Sequence, residues 1–269
     1  MDYQYYIAAW IYKVLKEADK EYATFLHEQG YGKDENHLYK LFCFDRLNFG
    51  KPKLWKEKKL FQIFNDKIFL KVSFDIDETA VNFIQGLFMN QKFYLGDIFN
   101  GIDFSVVGVN VLPEPDFSAI GEAVVDESSS VVEDINDAKK TLESNNFVAC
   151  VKYRTKTPWV VSYKEETDHY AKYLRPEDPK FIPCAIKHLT EKYNSMHKKQ
   201  IAASDIHMEV SHEYKRSGFL IKPGGKNETR VVGVLCDFIL TAPVEIQKMI
   251  WNAGLCEKSS LGFGWVEIK

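Results

Sequence analysis

The span Gly254-Leu255-Cys256-Glu257-Lys258-Ser259-Ser260-Leu261-Gly262-Phe263-Gly264-Trp265-Val266 concentrates glycine, serine and lysine in a few positions. Glycines permit positive φ and let backbone N–H groups approach a phosphate closely, and Lys258 adds positive charge beside them. Such a span can hold an anionic backbone; a plain tight turn is the other reading. Metal chemistry finds less support. The seven histidines form no H-E-x-x-H spacing, and a metal at the nearby His207, Glu209 and His212 is not expected. The five cysteines, Cys43, Cys150, Cys184, Cys236 and Cys256, are scattered without a C-x-x-C pair, as reduced thiols would be.

The elements that must position these residues follow from periodicity. Ile7, Trp10, Ile11, Val14, Leu15, Ala18, Tyr22, Phe25 and Leu26 recur at spacings of three and four, one buried helical face. Asp19 suits an N-cap in the middle of that run, which predicts two helices joined at a bend. Leu38 to Leu47 and Leu60 to Phe74 read as strands either side of the turn Gly50-Lys51-Pro52, with Phe42 and Phe44 as core. Asp77 begins a helix through Ala80, Phe83, Ile84, Leu87 and Phe88, and Ile102 to Leu112 returns to strand-like alternation. Proline, serine and acidic clusters from Pro113 to Asn145 suit a domain junction.

A second round follows: a strand pair over Phe147 to Tyr163, a helix from about Pro179 to Met196, and strands at Ile206 to His212 and Arg230 to Thr241. A helix then starts at Pro243 and runs to about Ala253, before a last strand over Gly262 to Ile268. Strand, helix, two strands, helix, strand is the ferredoxin-like order. The expected fold is α+β, with two tandem ferredoxin-like (βαββαβ) domains: residues 1–115, an acidic junction or insertion at 116–145, and residues 146–269. The first strand of the N-terminal domain is missing from this order, because the sequence opens on the helix. A truncated start and a substitute segment from elsewhere are the two readings of that gap.

With 269 residues, 45% hydrophobic and 27% charged, the chain can bury the cores of two small domains. No run of apolar residues is long enough for a membrane span, and Met1-Asp2-Tyr3-Gln4 lacks a signal-peptide pattern, so a cytoplasmic protein with no membrane partner is expected. The net charge of −3 conceals segregation: Leu38 to Lys71 carries +6, Lys180 to Arg230 carries +5, and Glu114 to Asn145 carries −7. Basic segments of that kind fit a phosphate polymer, and solvated faces are the alternative.

The string from Gly254 to Val266, together with the helix before it, resembles the glycine-rich loop of the Cas6 family of CRISPR repeat endoribonucleases. Tyr3-Gln4-Tyr5-Tyr6, Ile11-Tyr12, Phe25-Leu26-His27-Glu28 and Tyr39-Lys40-Leu41-Phe42 are similar to that family's N-terminal blocks, while Pro113 to Phe147 matches nothing recognisable. One departure stands inside the loop, where Cys256 replaces a further glycine and puts close backbone approach there in doubt. The resemblance implies RNA binding by the loop, with Gly254, Lys258, Ser259, Ser260, Gly262 and Gly264 as contacts, and cleavage on one side of a repeat stem. It also places Tyr12, His27 and Lys40 at positions where family members carry catalytic groups.

That trio suits metal-free RNA cleavage, in which the 2′-hydroxyl beside the scissile phosphate attacks phosphorus. The enzyme must remove one proton, donate another and stabilise charge on the phosphorane. Histidine exchanges protons near neutral pH, so His27 is the candidate general acid or base. Tyr12 would position the 2′-hydroxyl or share proton transfer, and Lys40 would neutralise the developing charge. The products would be a 2′,3′-cyclic phosphate and a 5′-hydroxyl, with no metal or cofactor expected.

The assignment carries a geometric condition: in one straight helix Tyr12 and His27 would stand about 22 Å apart. The trio needs the bend at Asp19; with an unbroken helix, His37 would replace His27. CRISPR repeat RNA is the expected partner, with a CRISPR effector complex and a homodimer as further possibilities. The alternatives are a catalytically inactive repeat-RNA-binding subunit of a CRISPR ribonucleoprotein and a small-molecule-binding regulator on the same fold.

Overall fold

The computed structural model describes residues 3–32, 38–55, 57, 60–96, 100–120, 148–165, 169–197 and 200–269. The opening periodicity forms two helices, α1 (Gln4–Ala18) and α2 (Lys20–Glu28). Asp19 separates them in an extended conformation, φ −146° and ψ 106°, and its Oδ1 accepts a hydrogen bond of 2.8 Å from the Tyr22 N–H. That bond satisfies one of the donors a helix start leaves without an intrahelical partner, so the chain begins a new helix rather than extending the old one.

Strand β1 (Phe42–Phe44) is buried along its length and pairs antiparallel with β4 (Val72–Phe74), Phe42 opposite Phe74. The two expected strands of this region resolve into four short ones. Between β1 and β4 stands a hairpin of β2 (Lys53–Trp55) and β3 (Leu60–Gln62), because the polar Asn65-Asp66-Lys67 interrupts the second apolar run. Helix α3 (Asp77–Met89) begins where Asp77 predicts. It crosses α1 at Gly86, where a Cβ would lie 2.0 Å from the carbonyl oxygen of Val14.

Strands β5 (Lys92–Gly96) and β6 (Gly101–Ser105) form a separate hairpin. The strand expected over Ile102 to Leu112 thus ends at Ser105, and its partner β5 was not expected. Residues 106–112 continue the apolar alternation but join no strand of the described residues, and Val107, Val109 and Val111 are exposed. Among the described residues no strand precedes α1, and the β1–β4 sheet has two strands. Of the expected junction, residues 116–120 are described and include α4 (Phe117–Ile120), whose Phe117 packs edge-on to Trp251. The remainder lies outside the described residues.

The second half follows the ferredoxin-like order closely. It comprises β7 (Val148–Thr155), the small pair β8 (Ser162–Tyr163) and β9 (Lys172–Tyr173), α5 (Phe181–Met196), β10 (His207–Ile221), β11 (Thr229–Pro243), α6 (Val244–Ala253) and β12 (Val266–Ile268). The sheet runs β10-β11-β7-β12, every pair antiparallel. In terms of the repeating unit that is second, third, first, fourth, the ferredoxin-like arrangement. The strand pair expected over Phe147 to Tyr163 is not a hairpin: Trp159 bridges to Val234, and Ser162 and Tyr163 pair with β9. β10 is longer than expected, because the mixed polar run from Ser211 to Ser217 hides the strand period, and β11 extends its expected span by one residue at the start and two at the end. Tyr153 and Phe238, opposite one another in register, stack at 5.3 Å within the core of this half.

Candidate active site

The bend at Asp19 folds α2 back beside α1. Tyr12, facing Phe42 of β1 at 5.6 Å between ring centroids, meets His27 at 5.0 Å with the rings at 84°. Tyr12 is half-buried and His27 is exposed near the end of α2. Lys40 arrives from the other side. Gly30 leaves α2 with φ +64°, and Tyr31 and Tyr39 then pair through reciprocal backbone hydrogen bonds of 2.7 and 2.6 Å. This brings Lys40 under the helix end, where its Nζ donates to the His27 carbonyl oxygen at 2.9 Å. A cation on the last carbonyls of a helix is favoured by the helix dipole. The structure therefore assembles all three residues, and the condition that would have substituted His37, which lies outside the described residues, is not met.

Burial raises the Tyr12 phenol, and a hydrogen bond with the Ser260 side chain acts in the opposite direction without overcoming it. Tyr12 is accordingly a neutral phenol throughout the physiological range. Burial lowers the Lys40 ammonium from its ordinary value. One of its three protons is used on the His27 carbonyl.

Ser260 comes from the glycine-rich loop, which runs from α6 through a 3-10 turn (Ser259–Leu261) into β12. Gly254, Gly262 and Gly264 take φ of +76°, +84° and +70°, the region that favours glycine. What crowds them is the chain itself. A Cβ at Gly254 would lie 2.6 Å from Ser259 Oγ and 2.8 Å from Cys43 Sγ; one at Gly262 would lie 2.5 Å from the Phe44 ring. Gly254, Ser259, Gly262 and Gly264 are buried, and Lys258 and Ser260 are half-buried. The glycines thus seat the loop against β1, and Lys258 and Ser260 are the members of the candidate set whose side chains reach the surface. Cys256 does not take positive φ; its thiol is buried under Gly264.

Sequence reasoning missed Lys192. It lies on the buried stripe of α5 with Ala185, Leu189 and Tyr193, and is 2% exposed. Its Nζ donates to the carbonyl oxygens of Ala253 and Gly254, each at 2.8 Å, where α6 gives way to the loop. Burial pulls its ammonium down to about 8, against the upward pull of Cys43, Cys256 and Asp75. The available signal was a lysine three residues beyond Leu189 on an apolar stripe. Among the described residues no group of three or more His, Cys, Asp or Glu side chains is placed to hold a metal ion, and no helix is long and apolar enough to cross a membrane.

Two α+β halves, joined where a glycine-rich loop lies on the first strand of the other half, define a two-domain ferredoxin-like protein. Family models described as CRISPR-associated protein Cas6, N-terminal, and CRISPR associated protein Cas6, C-terminal, match residues 1–109 and 139–268. The chain belongs to the Cas6 family of CRISPR-associated proteins. Among solved structures it is similar to the product of a Cas6-related gene from Pyrococcus furiosus, with a TM-score of 0.73 and 21% identity over 100% of this chain and 91% of that one. It is also similar to a CRISPR associated protein Cas6 (TM-score 0.67, 22% identity, 100% and 92% covered) and to a RAMP protein described as binding different RNA substrates (TM-score 0.66, 18% identity, 100% and 92% covered). At these identities the likeness is one of fold. A comparison with curated protein sequences finds no match.

Proposed function

We propose that this chain is an endoribonuclease that cuts precursor CRISPR RNA within its repeats, by attack of the 2′-hydroxyl on the adjacent phosphate without a metal. The observation that carries the reading is the convergence of Tyr12, His27 and Lys40: a phenol edge-on to an imidazole, with an ammonium 2.9 Å from the carbonyl of that same histidine. Membership of the Cas6 family supports the substrate.

His27 exchanges the proton, exposed to an incoming strand at the helix end. Tyr12, held neutral by burial, hydrogen-bonds the attacking or leaving oxygen as a donor, and Lys40 offsets the charge that develops on the phosphorane oxygens. Lys258, at the surface of the loop, contacts the RNA backbone. The products are a 2′,3′-cyclic phosphate and a 5′-hydroxyl.

The test is incubation of cognate repeat RNA with the purified chain in EDTA, beside the same RNA carrying one 2′-deoxy substitution upstream of the cut. Cleavage in EDTA that the deoxy substitution abolishes is the expected result. Tight binding of both RNAs without cleavage of either would replace this reading with that of a repeat-binding subunit.

A further inference from the structure

The β2–β3 hairpin stands away from both cores, and its composition is unusual for a ribbon in that position. All of β2 is exposed, with Leu54 at 48% and Trp55 at 45%; the segment after β3 exposes Phe64 at 65% and Phe69 at 66%. Adjacent strand residues point to opposite faces, so Leu54 and Trp55 place apolar surface on both sides of the ribbon. A two-stranded hairpin is marginal on its own, and exposed aromatic surface adds nothing to its stability.

Charge indicates what covers it. Between residues 51 and 71 the sequence has seven lysines against Glu57 and Asp66, in a chain of net charge −3. Another exposed apolar stretch, residues 105–112, carries no charge at all. Lysines alternating with exposed aromatic rings match a polymer with anionic links and flat bases, and a strand with unpaired bases presents those bases for stacking.

The geometry is preorganised. Lys53 Nζ sits 4.7 Å from the Trp55 ring centroid, and Trp55 Nε1 donates to Gln62 Oε1 across the strand pair at 3.3 Å, which fixes the plane of the indole. Phe69 is anchored by reciprocal backbone bonds with Asn48, of 2.8 and 3.0 Å, while its ring stays exposed. At the root of the ribbon, Phe61 packs on Phe49 and Phe49 on Tyr3, just before α1. From Tyr3, nine residues of helix lead to Tyr12, so the root stands roughly 14 Å along α1 from the candidate active site.

We propose that the β2–β3 ribbon and the Phe64–Phe69 segment form a stacking platform for single-stranded RNA, engaging the unpaired part of the molecule whose phosphate enters the Tyr12–His27–Lys40 site. The identity of that molecule rests on the function proposed above; the platform itself does not, because stacking on aromatic rings tolerates any base.

The experiment measures binding of a uridine oligomer, which is not a repeat, and of 2′-deoxy-blocked repeat RNA, both in EDTA. Trp55→Leu keeps apolar bulk and Trp55→Phe keeps a stacking face; Phe69→Leu is the second probe, with Phe88→Leu and Tyr170→Leu as exposed controls outside the ribbon. Trp55→Leu and Phe69→Leu are expected to lose about tenfold in affinity for both RNAs, at unchanged melting temperature, with Trp55→Phe restoring most of it. Affinities within twofold of the parent for both leucine variants would overturn the platform, and so would equal losses in the controls. Cleavage of unmodified repeat is scored in parallel. A parent chain that binds uridine oligomer through Trp55 and Phe69 but leaves the repeat intact keeps the platform and rejects the endoribonuclease; cleavage with indifferent leucine variants does the reverse.

Discussion

The Lys192 ammonium and the Gly254 carbonyl oxygen are 2.8 Å apart, and this contact fixes where the glycine-rich loop leaves α6. The same ammonium also holds the Ala253 carbonyl, so two acceptors left open at the helix end share one buried cation. Ser260, six positions on, reaches Tyr12.

Lys192 should reveal itself through pH. Its folded value of about 8 lies below the ordinary 10.5, so between those values the unfolded chain binds more protons than the folded one, and stability rises with pH. Cys43 and Cys256 begin to contribute in the unfolded chain only near 9.0. From pH 8 to 9 the unfolding midpoint in denaturant is therefore expected to rise relative to that of Lys192→Met, in which the titrating group is gone. Parallel pH profiles for the two proteins would refute this.

Removing the phenol tests the protonation state of Tyr12. Since burial keeps it neutral, Tyr12→Phe is expected to lower single-turnover cleavage by about 10- to 100-fold without altering the shape of the pH–rate profile. A basic limb present in the parent and absent in the variant would show that Tyr12 ionises during catalysis.

Binding and chemistry should separate between the two sides of the site. His27→Ala is expected to remove cleavage and leave repeat-RNA affinity within about twofold, while Lys258→Ala weakens binding and reduces the slope of log affinity against log salt by about one. Equal losses of affinity in both variants would contradict the separation.

The bend can be attacked directly. Asp19→Ala removes the acceptor for the Tyr22 N–H and is expected to cost about 1 kcal/mol, read by denaturant unfolding. Asp19→Asn, which keeps a capping oxygen, should recover most of the loss and most of the cleavage rate.

Gly262 has two reasons to remain glycine, its φ of +84° and the Phe44 ring 2.5 Å from where a Cβ would stand. Gly262→Ala is expected to destabilise the chain by on the order of 1–3 kcal/mol. Gly224, also at positive φ but with nothing within 4 Å, should cost less, and calorimetry of the two alanine variants compares them.

What the sequence made readable was local. An aspartate inside an apolar helical stripe marks the bend at Asp19, and βαββαβ order marks the second half, since both are written in short-range patterns. The hairpin partner β5 escaped because Lys92 and Tyr94 alternate with only a few apolar residues. Lys192 escaped for a different reason: a lysine on a helix reads as solvated until the fold supplies the carbonyls that bury it. The glycines of the loop were found, but part of their physical purpose was not, because Cys43 and Phe44 lie more than two hundred positions away in the sequence. The trio was legible through resemblance, and the broken helix is what lets it meet.

The seat of the loop on β1 has a consequence in time. The Cys43 thiol donates to the Phe263 carbonyl across a sequence separation of 220, and Gly262 lies on Phe44. Closing so long an interval is slow beside forming either core. The Ser260–Tyr12 contact joins the two halves, so the site is complete only after they have docked.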